Sequence, residues 1–224
     1  TLTVGGDDSS TTFSGVISED GNLTKAGSGT LTLSGTNTNT GTTTISAGTL
    51  TLDQASNTTG TVIANTAAVT VNGGILNLAD TTETIGALTL TSGSITGTSK
   101  TLTGSSYTLN PGADVSVSVA PILAGSVNLT KSAAGTAILS AANTYSGTTT
   151  ISDGTLEVDG TLAQTAVTVS SGATYDVDAT DTVLSIAGAG TIDLTDAALT
   201  AGDGNDLEFS GVFNGTNNFT KVGS

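Results

Sequence analysis

The sequence predicts an all-β fold in which short strands stack into a repetitive solenoid, with no significant helix. Three observations predict it: a composition rich in Thr, Gly and Ser, short segments of alternating apolar and hydroxyl residues, and a long internal repeat. Thr favours a half-buried pleated surface, and Gly suits the tight turns between strands. No stretch shows the i, i+3, i+4, i+7 spacing of apolar residues that an amphipathic helix needs.

The alternation recurs along the whole chain. It is clearest at residues 31–33, 50–52, 69–71, 88–90, 115–119 and 167–169. Each segment places Leu, Ile or Val on one side of a strand and Thr or Ser on the other. A disordered chain lacks this pattern, because it cannot bury enough apolar area to offset the entropy of ordering. We therefore expect a folded protein with one buried side to each strand.

Charge and composition exclude several classes of function. The net charge is −15 and the pI is about 4.1, which argues against a nucleic-acid partner and against binding to an anionic membrane surface. The chain has no Cys, so a disulfide framework and thiolate metal sites are excluded. No apolar run approaches the roughly 18 residues that span a bilayer. We expect no membrane insertion in this segment.

The internal repeat organises the chain. Residues 25–52 and 131–158 are identical at 16 of 28 positions without a gap. The repeats predicted from this match are 13–52, 124–158 and a truncated third copy at 209–224, with looser repeat segments at 53–123 and 159–208. No linker-like stretch separates them. The interpretation is a single continuous solenoid over residues 1–224.

Residues 29–50 and 135–156 carry a motif that resembles a known family. Both contain Gly-Thr, Leu-Ser, an Asn, and then Gly-Thr-Thr-Thr-Ile-Ser with a closing Gly-Thr-Leu. They are similar to the autotransporter-associated β-strand repeat of bacterial secreted proteins. The first copy departs from that pattern at Asn39, where the family usually has Tyr, as the second copy has at Tyr145. The resemblance implies a right-handed parallel β-helix, secretion through the outer membrane of a Gram-negative cell, and display at the cell surface.

A β-helix of this kind carries specific expectations. With ~20–25 residues per coil, the chain gives roughly ten coils and a rod about 50 Å long. Asn37 and Asn143 are expected at matching turns, where Asn tolerates the left-handed conformation and its amide can bond neighbouring backbone. The threonines of 42–44 and 148–150 are expected to form outward hydroxyl rows, with Ile45 and Ile151 pointing inward.

The alternative architecture is a chain of immunoglobulin-like sandwiches. Such domains usually carry a core Trp or a tyrosine corner and better-defined linkers. This chain has no Trp and three Tyr. We therefore favour the solenoid.

Both ends of the sequence look like interior strands. Residues 1–4 and 206–209 show no polar cap of the kind that would close a solenoid. We expect a mature or excised segment whose ends are covered by more of the same chain or by a second copy stacked head to tail.

A search for catalytic chemistry predicts that the chain is not an enzyme. It contains no His, so Ser-His-Asp and Cys-His arrangements are impossible, and no catalytic or cofactor-binding residue is predicted. Three of the four lysines recur in the repeated Leu/Phe-Thr-Lys unit, so a solvated structural role is expected for Lys25, Lys100, Lys131 and Lys221. Asp176, Asp178 and Asp181 cluster in sequence, but without the aromatic surroundings that bind a sugar.

One segment carries a weak calcium signal. Residues 202–207 resemble a fragment of the nonapeptide calcium-binding β-roll repeat, with Asp203, Asn205 and Asp206 as candidate ligands. Such repeats share ions between stacked turns, whereas this fragment occurs once. We favour an ordinary acidic turn and predict no cofactor.

Together these features predict a structural protein. The expected role is a rigid stalk or adhesin scaffold on a Gram-negative cell, acting in adhesion or self-association. Its expected partners are further copies of itself, by head-to-tail or lateral contact, or the surface of a host or neighbouring cell. The alternative is a segment of an extracellular fibre, sheath or surface layer built by end-to-end stacking.

Overall fold

The computed structural model describes residues 1–53, 61–79, 82–202 and 208–223, and these form a parallel β-solenoid of about 10 turns. Within those ranges every strand pairing is parallel and no helix is present. It follows that this part of the chain has no helix that could cross a membrane. The predicted all-β solenoid is confirmed, and the alternative of antiparallel sandwiches is wrong.

Each coil runs over three faces, which we name A, B and C. Face A contains β1 (Leu2–Val4), β3 (Leu23–Lys25), β5 (Thr43–Ile45), the first parts of β7 (Val69–Leu78) and β9 (Ala87–Thr96), β11 (Ser106–Leu109), β14 (Leu129–Lys131), β16 (Thr149–Ile151), β18 (Ala166–Val169) and β21 (Ser185–Gly188). Face B contains β2 (Thr11–Phe13), β4 (Thr30–Leu33), β6 (Thr49–Leu52), the second parts of β7 and β9, β12 (Ser116–Val119), β15 (Thr136–Leu139), β17 (Thr155–Val158), β19 (Thr174–Val177), β22 (Thr191–Leu194) and β24 (Val212–Gly215). Face C contains β8 (Glu83–Thr84), β10 (Thr101–Thr103), β13 (Ile122–Ala124), β20 (Asp181–Val183), β23 (Leu199–Ala201) and β25 (Phe219–Lys221).

The register between strands gives the length of a coil. On face A, Leu2 pairs with Leu23, and Leu23 pairs with Thr43. Further along the same face, Leu88 pairs with Tyr107. Most coils therefore hold close to 20 residues, the lower end of the expected range, and the repeat of about a hundred residues corresponds to five coils.

The interior of the solenoid is one continuous apolar cluster running through the coils. Ile45 and Ile151 are fully buried, as predicted. Thr43 and Thr149 are also buried, so the expectation that every threonine of 42–44 and 148–150 points outward is wrong. In a strand of three residues the first and third share a side, which turns the middle threonine of each triplet into the core with Ile45 or Ile151.

Three tyrosines pack into the interior between residues 107 and 175. Tyr107, Tyr145 and Tyr175 are fully buried. The rings of Tyr107 and Tyr145 meet edge to face, with centroids 6.1 Å apart. The Tyr145 hydroxyl lies 2.7 Å from Thr149 Oγ1 and gives that buried hydroxyl a hydrogen-bond partner. In the first copy Asn39 replaces this ring and instead donates to the carbonyl of Gly21 at 3.3 Å.

On face C, buried asparagines join three successive coils where regular strands are missing. Asn143 Oδ1 accepts a hydrogen bond from the backbone N–H of Leu123 at 3.0 Å, and its Nδ2 donates to Thr161 O at 3.2 Å. Asn37 repeats the arrangement with Ile17 N and Val62 O. The predicted amide-to-backbone bonding is confirmed. Neither asparagine has a positive φ, so the left-handed conformation that Asn tolerates is not used at these two positions.

Two buried carboxylates make similar hydrogen bonds to backbone groups one coil further along the chain. Glu83 accepts from the backbone N–H groups of Val62 and Ile63 at 3.0 and 2.7 Å. Asp181 accepts from Leu162 N at 2.8 Å. A side-chain oxygen thus replaces a ladder carbonyl at the matching place in both halves of the molecule.

The third copy of the repeat lies on a different face from the first two. Its Phe-Thr-Lys unit forms β25, which pairs with β23 on face C. The corresponding Leu-Thr-Lys units form β3 and β14 on face A. The third copy is therefore similar in sequence to the first two but occupies a different position in the coil.

Candidate functional site

The most regular surface of the molecule is a single file of threonines on face A. The middle residue of each strand points outward, and nine successive coils present Thr there in direct register. These residues, which we call the threonine face, are Thr3, Thr24, Thr44, Thr70, Thr89, Thr108, Thr130, Thr150 and Thr168. The next residue in the file is Ala187.

The hydroxyls of the threonine face are available for contact. Their side chains are half-buried or exposed, and within the described residues none of the nine hydroxyls is hydrogen-bonded to another protein group. The outward residues on either side of the file are all Gly, Ala, Ser, Thr or Asn. Asn22 and Asn128, at the start of two of these strands, accept backbone bonds from Thr42 and Thr148 at 2.9 Å. The surface is therefore narrow, hydroxylated and uncharged.

Face B has a different outward surface, although it has the same backbone ladder. One of its outward files runs through Thr49, Ile75, Ser94, Ser118 and Ile138. The same file continues with Glu157, Asp176, Asp193 and Asn214. The solenoid thus tolerates apolar, polar and charged residues at outward positions, and the uniformity of face A is not a requirement of the fold.

An acidic cluster lies where face B ends in the second half of the chain. Carboxylate oxygens of Glu157, Asp159 and Asp178 all lie within 4.8 Å of one another. Asp178 Oδ1 is buried and receives no hydrogen bond from the described residues. Carboxylates suit calcium, but acidic groups gather on protein surfaces that hold no ion, and the cluster alone assigns no metal.

Burial and mutual repulsion raise pKa values in the acidic cluster and at the neighbouring Asp176, which we include in the cluster from here on. Burial, followed by repulsion from Asp178 and Asp193, raises the pKa of Asp176 to about 6. The pKa of Glu157 and that of Asp178 are raised for the same two reasons, burial first and neighbouring carboxylates second. The cluster therefore holds protons more tightly than isolated carboxylates do.

The structure divides the three aspartates that cluster in sequence. Asp176 and Asp178 face outward beside Glu157, which belongs to the preceding coil. Asp181 is buried and bonds to Leu162 N and the Tyr175 hydroxyl. Proximity in sequence did not predict that Glu157 joins these aspartates. A search at the coil spacing of about 20 residues would have predicted it.

Two of the four lysines contradict the expected solvated role. Lys25 and Lys131 are fully buried at the turn from face A to face B. Lys131 Nζ donates to the carbonyls of Ser132, Ala133 and Asp153 at 3.3, 2.7 and 2.8 Å. The ammonium group thus joins the turn of its own coil to the turn of the next coil. Lys221 is exposed, as expected.

The same arrangement surrounds Lys25, whose Nζ donates to Ala26, Gly27 and Ala47 at 2.5, 2.8 and 3.3 Å. Burial lowers the pKa of Lys131 to about 8, with Asp153 opposing the shift. Burial also lowers the pKa of Lys25, with Asp8 opposing it. These are structural cations held by backbone carbonyls, and among the described residues no hydroxyl group bonds to either ammonium group.

The weak calcium candidate remains a prediction. Asp203, Asn205 and Asp206 lie outside the described residues. Gly202, the last described residue before them, has a φ of +140°. Nothing further is assigned to this segment.

Comparison with known proteins agrees with the fold. The family model of the passenger-associated-transport-repeat matches residues 23–52 and 129–158. Each match begins on face A, at β3 or β14, and ends on face B of the following coil, at β6 or β17. No curated protein and no solved structure matches the chain. The two family matches confirm the resemblance to autotransporter passenger repeats.

Proposed function

We propose, from the premise that this chain is an autotransporter passenger repeat segment, that it serves as a rigid, surface-displayed β-helical stalk. The role is mechanical and not catalytic. The stalk holds its faces away from the surface of a Gram-negative cell, where they contact other cells or other copies of the protein.

The observation that carries this proposal is the continuous interior. A single apolar cluster runs through the coils from Leu23 to Ala201. Each coil is also bonded to its neighbours by parallel backbone ladders on face A and face B. Because each coil contacts only its neighbours, the length of the rod increases with coil number while the construction stays the same. This construction suits a spacer.

The polar groups of the interior support a structural role over a catalytic one. Lys25 and Lys131 are held by backbone carbonyls. Glu83 and Asp181 are held by backbone N–H groups. Their hydrogen bonds serve the stacking of coils, so these buried ionic groups are satisfied without a substrate.

Surface display is tested on cells that produce the full-length protein. An antibody raised against the purified segment should stain intact cells, and protease added outside should remove the signal. Staining that requires permeabilised cells, with protection from external protease, would contradict the proposal.

The stalk role is tested by shortening the rod. Because Leu88 and Tyr107 are register partners, deletion of residues 88–106 removes one whole coil and leaves the stacking in register. That variant should keep cooperative unfolding and β-type circular dichroism. Deletion of residues 88–97, about half a coil, should abolish both. Equal damage from the two deletions would contradict a modular rod.

A further inference from the structure

We propose that the threonine face is a self-pairing surface, through which two copies of this chain associate side by side. The inference deepens the proposed function, on which it rests, by naming the contact face of the stalk and its partner. It is carried by the residue pattern, charge distribution and hydrogen-bonding capacity of face A.

The residue pattern requires an explanation beyond strand propensity. Thr, Val and Ile all suit outward strand positions. Face B uses that freedom, since Thr49, Ile75 and Ser94 are consecutive in one file, and Glu157 and Asp176 follow in the same file. On face A, nine consecutive coils keep Thr. Face B is thus an internal control showing that the scaffold does not impose this uniformity.

The charge distribution favours contact between copies at this face. The chain carries a net charge of −15, so two copies repel each other wherever carboxylates meet. Face A has no outward charged residue in its ten strands, because its two lysines point inward. The acidic cluster lies on face B. Face A is therefore a long side on which two copies can approach without placing like charges together.

The hydroxyl file is complementary to itself. A hydroxyl group both donates and accepts hydrogen bonds, so a Thr file can pair with an identical file, whereas a row of carboxylates cannot. A second copy presents its hydroxyls at the same coil spacing of about 4.8 Å, so contacts repeat in step along the rod. A two-fold axis perpendicular to the rods relates the two files in one symmetric interface.

The size of the face indicates a weak individual contact. Nine coils give a length of about 40 Å, and the five residues across the face, three of them outward-facing, give about 15 Å, or roughly 600 Å² per copy. The total of roughly 1,200 Å² lies at the lower limit for specific interfaces. Single pairs should therefore be transient, while many stalks on facing surfaces add their contacts through avidity.

The test measures self-association of the purified segment by sedimentation velocity over a concentration series. Thr89→Glu/Thr130→Glu places two charges on the threonine face, two coils apart. Thr49→Glu/Ser94→Glu places the same charges on face B, also two coils apart and at similarly half-buried positions. The first variant should raise the dimer dissociation constant at least ~10-fold, and the second should leave it within about twofold. Circular dichroism and thermal unfolding confirm that both are folded.

A second variant tests the hydroxyls themselves. Thr89→Val/Thr130→Val keeps side-chain shape and strand propensity and removes two donors, so it should also weaken pairing. Equal weakening by the two Glu variants, or full-strength pairing by the Val variant, overturns the proposal. A segment that stays monomeric at its highest soluble concentration also overturns it, including one that instead binds an immobilised neutral polysaccharide through this face. These outcomes are separate from surface display, because the assay uses purified protein.

Discussion

Asn143 shows how one side chain can replace part of a strand. It receives the N–H of Leu123 from the coil before and donates to Thr161 O in the coil after. A second bond from its Nδ2 reaches Ala141 O of its own coil at 2.9 Å. The bond from Leu123 N is buried, so removal of the amide leaves that N–H without its partner, whereas the carbonyls of Thr161 and Ala141 keep backbone donors from Asn143 N and Thr161 N.

Replacement of that amide should be costly. Asn143→Ala should lower the free energy of unfolding by about 2–3 kcal/mol, because the buried N–H of Leu123 loses its partner and two half-buried carbonyls each lose one donor. Asn110→Ala is the matched control, since Asn110 is exposed and its Oδ1 accepts one bond from Ser132 Oγ. The control should change stability by less than about 0.5 kcal/mol. Denaturant unfolding measures both, and equal effects would contradict the role of Asn143.

At the scale of the residue, the sequence predicted the hydrogen bonding of a side chain better than its burial. The recurrence of Asn37 and Asn143 in the repeat correctly indicated amide-to-backbone bonding. The recurrence of Lys25 and Lys131 was misread as surface exposure, because lysine is seldom fully buried. What the sequence could not show is the ring of carbonyls from two successive turns that satisfies the ammonium group, since it exists only once the coils are stacked.

At the scale of the element, the turn from face A to face B determines whether coils can stack. Gly48 and Gly154 occupy matching places in the two repeats, with φ of +61° and +65°. A Cβ on Gly154 would lie 2.4 Å from Gly135 O and 2.6 Å from Ala133 O. The backbone of the preceding coil therefore excludes any side chain at this position.

This turn gives a clear contrast between glycines. Gly154→Ala should lower the free energy of unfolding by about 2–4 kcal/mol, because it combines left-handed backbone with overlap against fixed carbonyls. Gly112→Ala should stay within about 0.5 kcal/mol of the wild type, since its added Cβ meets nothing within 4 Å. Thermal and denaturant unfolding of the two variants check the prediction. A similar loss in both would show that the turns are not closely stacked.

Strands were predictable where alternation is strict. The segments at 31–33, 50–52 and 167–169 fall within β4, β6 and β18. Face C was not predictable, because at Asn37 and Asn143 side chains replace the ladder. The threonine face was also missed as a unit, although its Thr-centred segments are visible in sequence. Its signal is their recurrence about every 20 residues, which becomes a surface only when the coils are in register.

At the scale of the whole molecule, charge is distributed unevenly between faces. The carboxylates of Glu157, Asp176 and Asp193 occupy consecutive rungs of face B. Like charges directly opposite one another on neighbouring strands oppose pairing. The raised pKa of Asp176, about 6, reflects burial and this repulsion.

Burial of Asp176 and its repulsion by neighbouring carboxylates make stability depend on pH. Asp176 has a folded pKa of about 6 against an ordinary value of 3.8, so the folded state binds more protons between these values. Its stabilising contribution is present at low pH and is lost as pH rises through 6, so the segment should be more stable at pH 5 than at pH 7.5. Asp176→Asn should stabilise it at pH 7.5 by about 1 kcal/mol, allowing for solvent screening, and reduce the pH difference.

Asp114→Asn is the control for net charge. It removes the same charge outside the cluster, at a residue with a φ of +60° that Asn also adopts readily. This variant should leave the pH difference in place. A wild-type segment that is equally stable at pH 5 and pH 7.5, or an equal response to both substitutions, would contradict the account of the acidic cluster.

The most direct test of the stacked-coil architecture is cross-linking between coils. The chain has no Cys, so any intramolecular disulfide must join the two introduced cysteines. Thr136 and Thr155 are register partners on β15 and β17, and Thr174 is the next partner on β19. Neighbouring coils are about 4.8 Å apart, within disulfide reach, whereas residues two coils apart exceed the limit of about 7 Å. Thr136→Cys/Thr155→Cys should therefore form an intramolecular disulfide in the folded protein, and Thr136→Cys/Thr174→Cys should stay reduced. Failure of the first pair to close, or equal closure of both pairs, would contradict the parallel solenoid.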